Sequence, residues 1–407
     1  MPSLFQLERE RDIGGLAELL ESSDNPKIRA RSAEILGDFD EMEDTGLEAL
    51  VDAIQTDESE VVRAAAIDAM TNLGRTDALL AALDREIDDA AADWSKAETF
   101  VSDLDSEETT LRMAAANVLG EIGSDSAVKP LTNHLDDPNP RVRARIARAL
   151  GKIGDRRATE GLVEHLEGEP LGVRREVADA LGYIGGDKAV TGLVDVADDK
   201  SEAMRRTIAS SLGEFGDPRA IDTLVDLLED ESDLVRKAAT FSLIEILSNV
   251  STDRSDELRN EIVGKMSARD DASIIESLVE IIEEGSQLHQ RRNATWMLGR
   301  VAGPESQEKA IEALIGALAD EDNLISQFAA TSLSEIGSRE VETALIHHID
   351  TAHDDESIAM AAFTLGKVGG ERAKSRLEKL VDETENEEVR RRAFSAISKL
   401  GGSGGIF

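Results

Sequence analysis

The chain has no cysteine, one tyrosine, two tryptophans and only eight prolines among its 407 residues, and aromatics make up 3% of it. The missing cysteine excludes a disulfide frame, a thiolate metal site and a cysteine nucleophile. A core with so few rings must be built from Ala, Leu, Ile and Val, which suits thin layers of paired helices. No apolar run approaches the roughly 20 residues that a membrane-spanning helix requires. The opening stretch, MPSLFQLERERD, carries acid from position 8 onward and lacks the apolar core of a signal peptide. The expectation is a soluble, cytoplasmic protein with no membrane partner.

Lysine is scarce as well. Of the 45 basic residues 13 are Lys and 32 are Arg, against 84 Asp plus Glu, for a net charge of −39. The excess is spread along the chain. Such a charge repels itself and weakens the compact state unless salt screens it. Acid-rich, lysine-poor, cysteine-free chains resemble cytosolic proteins of extreme halophiles. The same field opposes nucleic acid and anionic lipid as general partners.

Within this composition a pattern recurs. Its clearest copy begins at Val142-Arg143 and continues with Ala147, Leu150, Gly151, Ile153 and Gly154. With Val142 as position zero, the unit reads V-R at 0 and 1, a small residue at 5, Leu at 8, Gly at 9, Ile at 11 and Gly at 12. Copies start at Leu111, Val142, Val173, Met204 and Val235, each 31 residues apart, and weaker ones at Ile28, Val62, Gln290, Ile325, Ser357 and Val389. That makes eleven. Positions 0, 4, 5, 8 and 11 share one face of a 3.6-residue helix. Gly at 12 ends the helix, and Gly at 9 leaves room for a neighbouring helix to come close. A second amphipathic run precedes each copy, as in Ala220 to Leu228 and Ala310 to Leu318. Each repeat is therefore a first helix, a short acidic or proline-containing turn, a second helix and a tight glycine turn. Neither helix buries its face alone, so repeats must stack.

The V-R-x-x-A-A-x-x-L-G-x-x-G unit resembles the HEAT-like repeat of the phycobilisome-lyase type over nearly the whole chain. The resemblance implies an all-α fold, a right-handed α-α superhelix of about eleven two-helix repeats with the second helices lining a concave face. Residues 1–407 are then a single solenoid. Two steps break the period. Val62 to Leu111 spans 49 residues and Val235 to Gln290 spans 55, which places extra helices at about 76–88 and 251–269. Residues 1–10 read as a capping helix and 401–407, rich in glycine, as a flexible tail.

A search for chemistry finds little. Arg recurs at position 1, as Arg29, Arg63, Arg112, Arg143, Arg174, Arg205, Arg236, Arg291 and Arg390. One such residue per repeat suits a ladder that bonds carboxylates and helix-end carbonyls of the adjoining turn, with Asp137 and Asp230 as partners. Gly-Lys at Gly151, Gly264 and Gly366 is not followed by Ser or Thr, so no phosphate loop is present. The one histidine cluster, His347, His348 and His353 with Asp350 and Asp354, has adjacent histidines that cannot point the same way on a helix. Catalytic residues, cofactor and metal ligands are all read as none.

What varies is the second helix at positions 3, 6 and 10, off the buried face. The fourth repeat is basic there, with Arg145, Arg148 and Lys152, and the fifth carries Tyr183. Phe241, Trp296, Phe328, Met360 and Phe363 follow in successive repeats, so four of the chain's twelve rings lie on this stripe. An exposed apolar stripe marks a partner site. The reading is a non-catalytic scaffold or adaptor that grips another protein on its concave face. The acidic composition and the opening Leu4-Phe-Gln-Leu-Glu-Arg9 also resemble HEAT-like proteins of halophilic archaea. That resemblance implies work in taxis signalling, with a response regulator or motility adaptor as partner. Two alternatives remain: a bilin lyase-like enzyme, implied by the repeat's namesake, and a nucleic-acid-binding HEAT-like protein, whose only support is the basic fourth repeat.

Overall fold

A computed structural model describes residues 3–39, 42–83, 92–249, 252–267 and 271–402. Among these are twenty-five α-helices and five short 3-10 turns, with no strand. The chain is an all-α repeat solenoid, as its periodicity implies. It divides into two compact units, Met1–Ser211 and Leu212–Phe407, and the division falls inside the second helix of the sixth repeat, Glu202–Phe215.

The first unit opens with a helix Leu4–Glu10, capped by the Ser3 hydroxyl, which accepts from the Gln6 N–H at 3.2 Å. Its second helices are Pro26–Gly37, Glu60–Asn72, Thr109–Ile122, Pro140–Ile153 and Leu171–Ile184. In the second unit they are Asp233–Asn249, Leu288–Val301, Asn323–Ile336, Asp355–Val368 and Glu387–Gly402. The expected extra helices fall at Thr76–Ala82 and Thr252–Ser267. Residues 84–91, which hold the last part of the expected span 76–88, and 403–407 of the expected tail lie outside the described residues. The last helix runs through Gly401 and Gly402.

Position 8 is closed to solvent in every repeat but the last, as at Leu119, Leu150, Leu181, Leu298 and Leu365, and Ala147 and Ala178 at position 5 are equally buried. Each buried leucine contributes about 1.5–3 kcal/mol, so the cores are many but thin. Thin cores demand close backbones, which explains the glycine at position 9. A methyl placed on Gly151 would lie 2.8 Å from the Ala180 Cα, and one on Gly366 2.6 Å from the Ala396 Cα, each on the next second helix. Gly154 at position 12 has φ of 72° and receives the helix C-terminus, its N–H donating to the Leu150 carbonyl.

The arginine column forms the expected ladder, and several of its side chains span two turns. Arg29 donates to the Ser23 carbonyl of its own turn at 2.7 Å and grips both Asp57 oxygens of the next at 2.7 and 2.9 Å. Arg112 repeats this with the Ser106 carbonyl at 2.9 Å and with Asp137 at 2.7 and 3.2 Å. Arg143 takes the Asp137 carbonyl and Glu169; in the second unit Arg236 takes the Asp230 carbonyl and Asp271. Arg174 pairs with Asp199, and Arg291 with Asp320. Asp137 thus serves two arginines, its carboxylate going to the preceding repeat and its carbonyl to its own. The same carboxylate also accepts the Asn139 N–H at 2.8 Å and so shapes the turn. Burial raises the Asp57 carboxyl, but Arg29 and the Ser59 N–H outweigh it and hold it below the usual range.

Candidate partner-binding surface

The stripe residues stand at fixed offsets on the second helices, so the repeat itself sets their spacing. All five apolar members lie in the second unit. Phe241 is exposed at 38%, whereas Trp296, Phe328, Met360 and Phe363 are half-buried. Cations cover two of them in part, Trp296 and Phe363. The Arg300 guanidinium lies 4.3 Å from the Trp296 ring centre, and Arg259 of the inserted helix Thr252–Ser267 lies 5.9 Å away. Around Phe363 stand Lys367 at 4.7 Å, Lys399 at 4.8 Å and Arg392 at 5.5 Å. Cation–π contacts of this kind contribute about 0.5–2 kcal/mol each, depending on desolvation. Arg300 is held in turn by the Glu335 carboxylate at 2.5 Å and by the Trp296 carbonyl at 2.7 Å.

The basic members of the expected site behave differently, and one needs correction. Arg145 is only 7% exposed. Its guanidinium clasps both oxygens of Asp68 on the second repeat and donates to the Ala64 carbonyl, reaching past the intervening third repeat. It holds repeats together and offers nothing to a partner. Arg148 is half-exposed but binds both Glu176 oxygens, at 3.0 and 2.5 Å, and lies 3.8 Å from Asp68. Lys152 is exposed and pairs with Glu121. Asn117 adds a bond to the same Asp68 at 3.1 Å. The basic cluster is therefore a neutralised network across four repeats, which removes the support for a nucleic-acid site. Tyr183, at 63% exposure, is the stripe member of the first unit that faces solvent.

Beside this network sits Asp179, whose carboxyl is pushed up by burial and by Glu176, against the pull of Arg175 and Arg148. In the histidine cluster, the His348 ring meets the Ser357 hydroxyl at 3.1 Å while Asp354 caps Ser357 N–H at 2.7 Å. Burial lowers the His348 pKa. No group of metal-ligating side chains is assembled among the described residues, nor is any described helix long and apolar enough to cross a membrane.

Sequence reasoning missed the cations over the rings, although part of the signal was available. Arg300 and Lys367 each follow their ring by one helical turn, where i and i+4 side chains meet. Arg259 carries no such signal, since it belongs to the inserted helix. Phe394, at 55% exposure, was missed too. It occupies position 5 of the last repeat, a site that in other repeats is buried beneath the next one.

The repeats match a known family: the HEAT repeats model covers residues 13–97, 97–178, 160–244 and 275–363. A HEAT repeat-containing taxis protein of Halobacterium salinarum is 58% identical over 366 residues, covering 89% of this chain and 90% of that protein. Among solved structures, an engineered protein shares 21% identity at a TM-score of 0.44, covering 96% of this chain and 99% of its own. The complex of CpcE and CpcF of phycocyanin lyase from Nostoc sp. shares 20% identity at a TM-score of 0.36, covering 77% and 97%.

Proposed function

This chain belongs to the HEAT-repeat family, and on that premise we propose that it is a non-catalytic, cytoplasmic scaffold of taxis signalling that binds another protein on its second-helix face. The observation that carries the taxis reading is the 58% identity to a protein named for taxis over nine-tenths of both chains. Support for the scaffold role comes from the surface. The buried positions are uniform from repeat to repeat, while the partner-facing ones change chemistry between the units. Phe241, Trp296, Phe328, Met360 and Phe363 are the contact residues of the second unit, and Tyr183, with Arg148 and Lys152, is the corresponding contact of the first. Large, partly covered rings beside arginines have the composition of interface hot spots. The partner class is a response regulator or a motility adaptor.

The test is a binding titration in molar KCl between the full chain and purified response regulators and motility adaptors of the taxis system. At least one is expected to bind, and Phe328→Ala should weaken it with helicity unchanged. If none binds the wild-type chain, the scaffold reading fails.

A further inference from the structure

We propose that Lys367, Lys399 and Arg392, gathered around Phe363, form a docking site for a short acidic segment of a partner protein. The inference rests on the scaffold reading above and names the chemistry of what the scaffold holds.

The cluster is unusual for this chain. Net charge is −39 and only 13 lysines are available, yet two of them converge on one ring, 4.7 and 4.8 Å from its centre. Both ammonium groups are on exposed residues, and neither has a carboxylate partner among the described residues. Lys152, Lys188, Lys237, Lys265 and Lys309 do meet a carboxylate; what sets Lys367 and Lys399 apart is the ring they share. The ring is reached from two helices. Lys367 is one turn beyond Phe363 on Asp355–Val368, and Arg392 and Lys399 lie two turns apart on Glu387–Gly402.

A simpler cause accounts for part of this. Both lysines lie in the last turn of their helix, where the macrodipole favours a cation by about 0.3–1 kcal/mol. That explains one lysine per helix end. It does not explain why two like charges from neighbouring helices converge on the same ring, neither of them paired with a carboxylate among the described residues. An arriving carboxylate would relieve that repulsion, and the ring would supply an apolar floor beneath its stem.

The surroundings limit the occupant. The adjoining groove runs past Met360 to Asp355, Glu356 and Gln327, and Arg392 is already engaged by Glu388 at 3.0 Å. The cationic patch is therefore short and its far end is acidic. A long polyanion would meet those carboxylates and the field of the whole chain, whereas a few Asp or Glu residues followed by apolar ones match the order of cations, Phe363 and Met360. Charge complementarity at a partly exposed site acts mainly on association rate and falls with salt.

The experiment uses the full chain and a fluorescein-labelled peptide of four glutamates followed by two leucines, read by anisotropy, with a peptide carrying lysine for glutamate as reference. The wild type is expected to bind the glutamate peptide and not the lysine one. The double variant Lys367→Gln/Lys399→Gln should lower affinity about tenfold, with the loss shrinking as salt rises. Lys374→Gln/Lys379→Gln on the first helix of the same repeat removes equal charge and should change affinity less than about twofold. Equal losses in the two double variants, no preference between peptides, or no binding by the wild type overturns the site. A protein partner that binds the wild type and both double variants alike would leave the scaffold reading standing and the acidic site refuted.

Discussion

The two compact units share a frame and differ in what they place on the second-helix face. In most repeats of both, position 8 is a closed leucine, position 9 is glycine against the next helix, and position 1 is the arginine of the ladder. Off that frame they diverge. The first unit fills positions 3 and 6 with Asp68, Asn117, Arg145, Arg148 and Glu176, which neutralise one another across repeats. The second unit fills the same offsets with Phe241, Trp296, Phe328, Met360 and Phe363, covered only in part by cations. Charges on facing helices satisfy each other internally and close the surface. Rings only partly covered by cations leave apolar area open. On the proposed function, one register serves cohesion in the first unit and recognition in the second.

The sharpest break in that comparison is Arg145→Ala. It takes from the Asp68 carboxylate its two-pronged partner and leaves it Asn117 and the more distant Arg148; removing one side of a buried pair costs about 3–5 kcal/mol, and these neighbours hold the loss to the lower figure. Denaturant unfolding should show that loss, with partner affinity of the folded fraction unchanged. The shared frame is probed by Gly151→Val in the first unit and Gly366→Val in the second. Each forces a side chain against backbone at 2.8 or 2.6 Å and should cost about 1–3 kcal/mol. Similar losses in both units would confirm that the spacing column is common to them.

Acid gives a smaller and directional effect. The folded carboxyls of Asp57 and Asp199 lie below the usual value of 3.8, and Asp322, held by Arg292, lies at about 2. A depressed folded pKa contributes stability that is complete above the unfolded value and is lost as pH falls through the folded one. Stability should therefore decline below about pH 4. In Arg29→Gln, Asp57 keeps its burial and loses its partner, so acid unfolding should begin at higher pH. The smallest effect is that of salt on the whole chain. Between about 0.1 and 2 M KCl the Debye length falls from about 10 Å to a few Å, and the melting temperature should rise; an unchanged value would count against the repulsion argued from the charge of −39.

Periodicity made the frame legible. The fold, the glycine at the close approach and the arginine ladder all follow from one residue type recurring at one offset, because each stacked repeat solves the same packing problem. The surface was legible only as a list of candidates. Trp296 and Arg145 occupy the variable rows of the pattern, positions 6 and 3, yet one is half-open beneath Arg300 and the other is buried against Asp68 two repeats away. That difference depends on how closely non-adjacent helices approach, and no spacing within a single helix encodes it. Arg259 shows the same limit, since an inserted helix has no register from which its reach can be read.

The central claim is that cohesion and recognition are divided between these two faces. It is tested most directly by measuring partner affinity and unfolding free energy on the same preparations of Trp296→Ala and Arg145→Ala in molar KCl. The account predicts that Trp296→Ala weakens binding by about 2 kcal/mol, as hot-spot truncations do, with helicity retained, and that Arg145→Ala lowers stability with affinity intact. Normal binding by Trp296→Ala, or a loss of affinity in Arg145→Ala without a loss of stability, would contradict it.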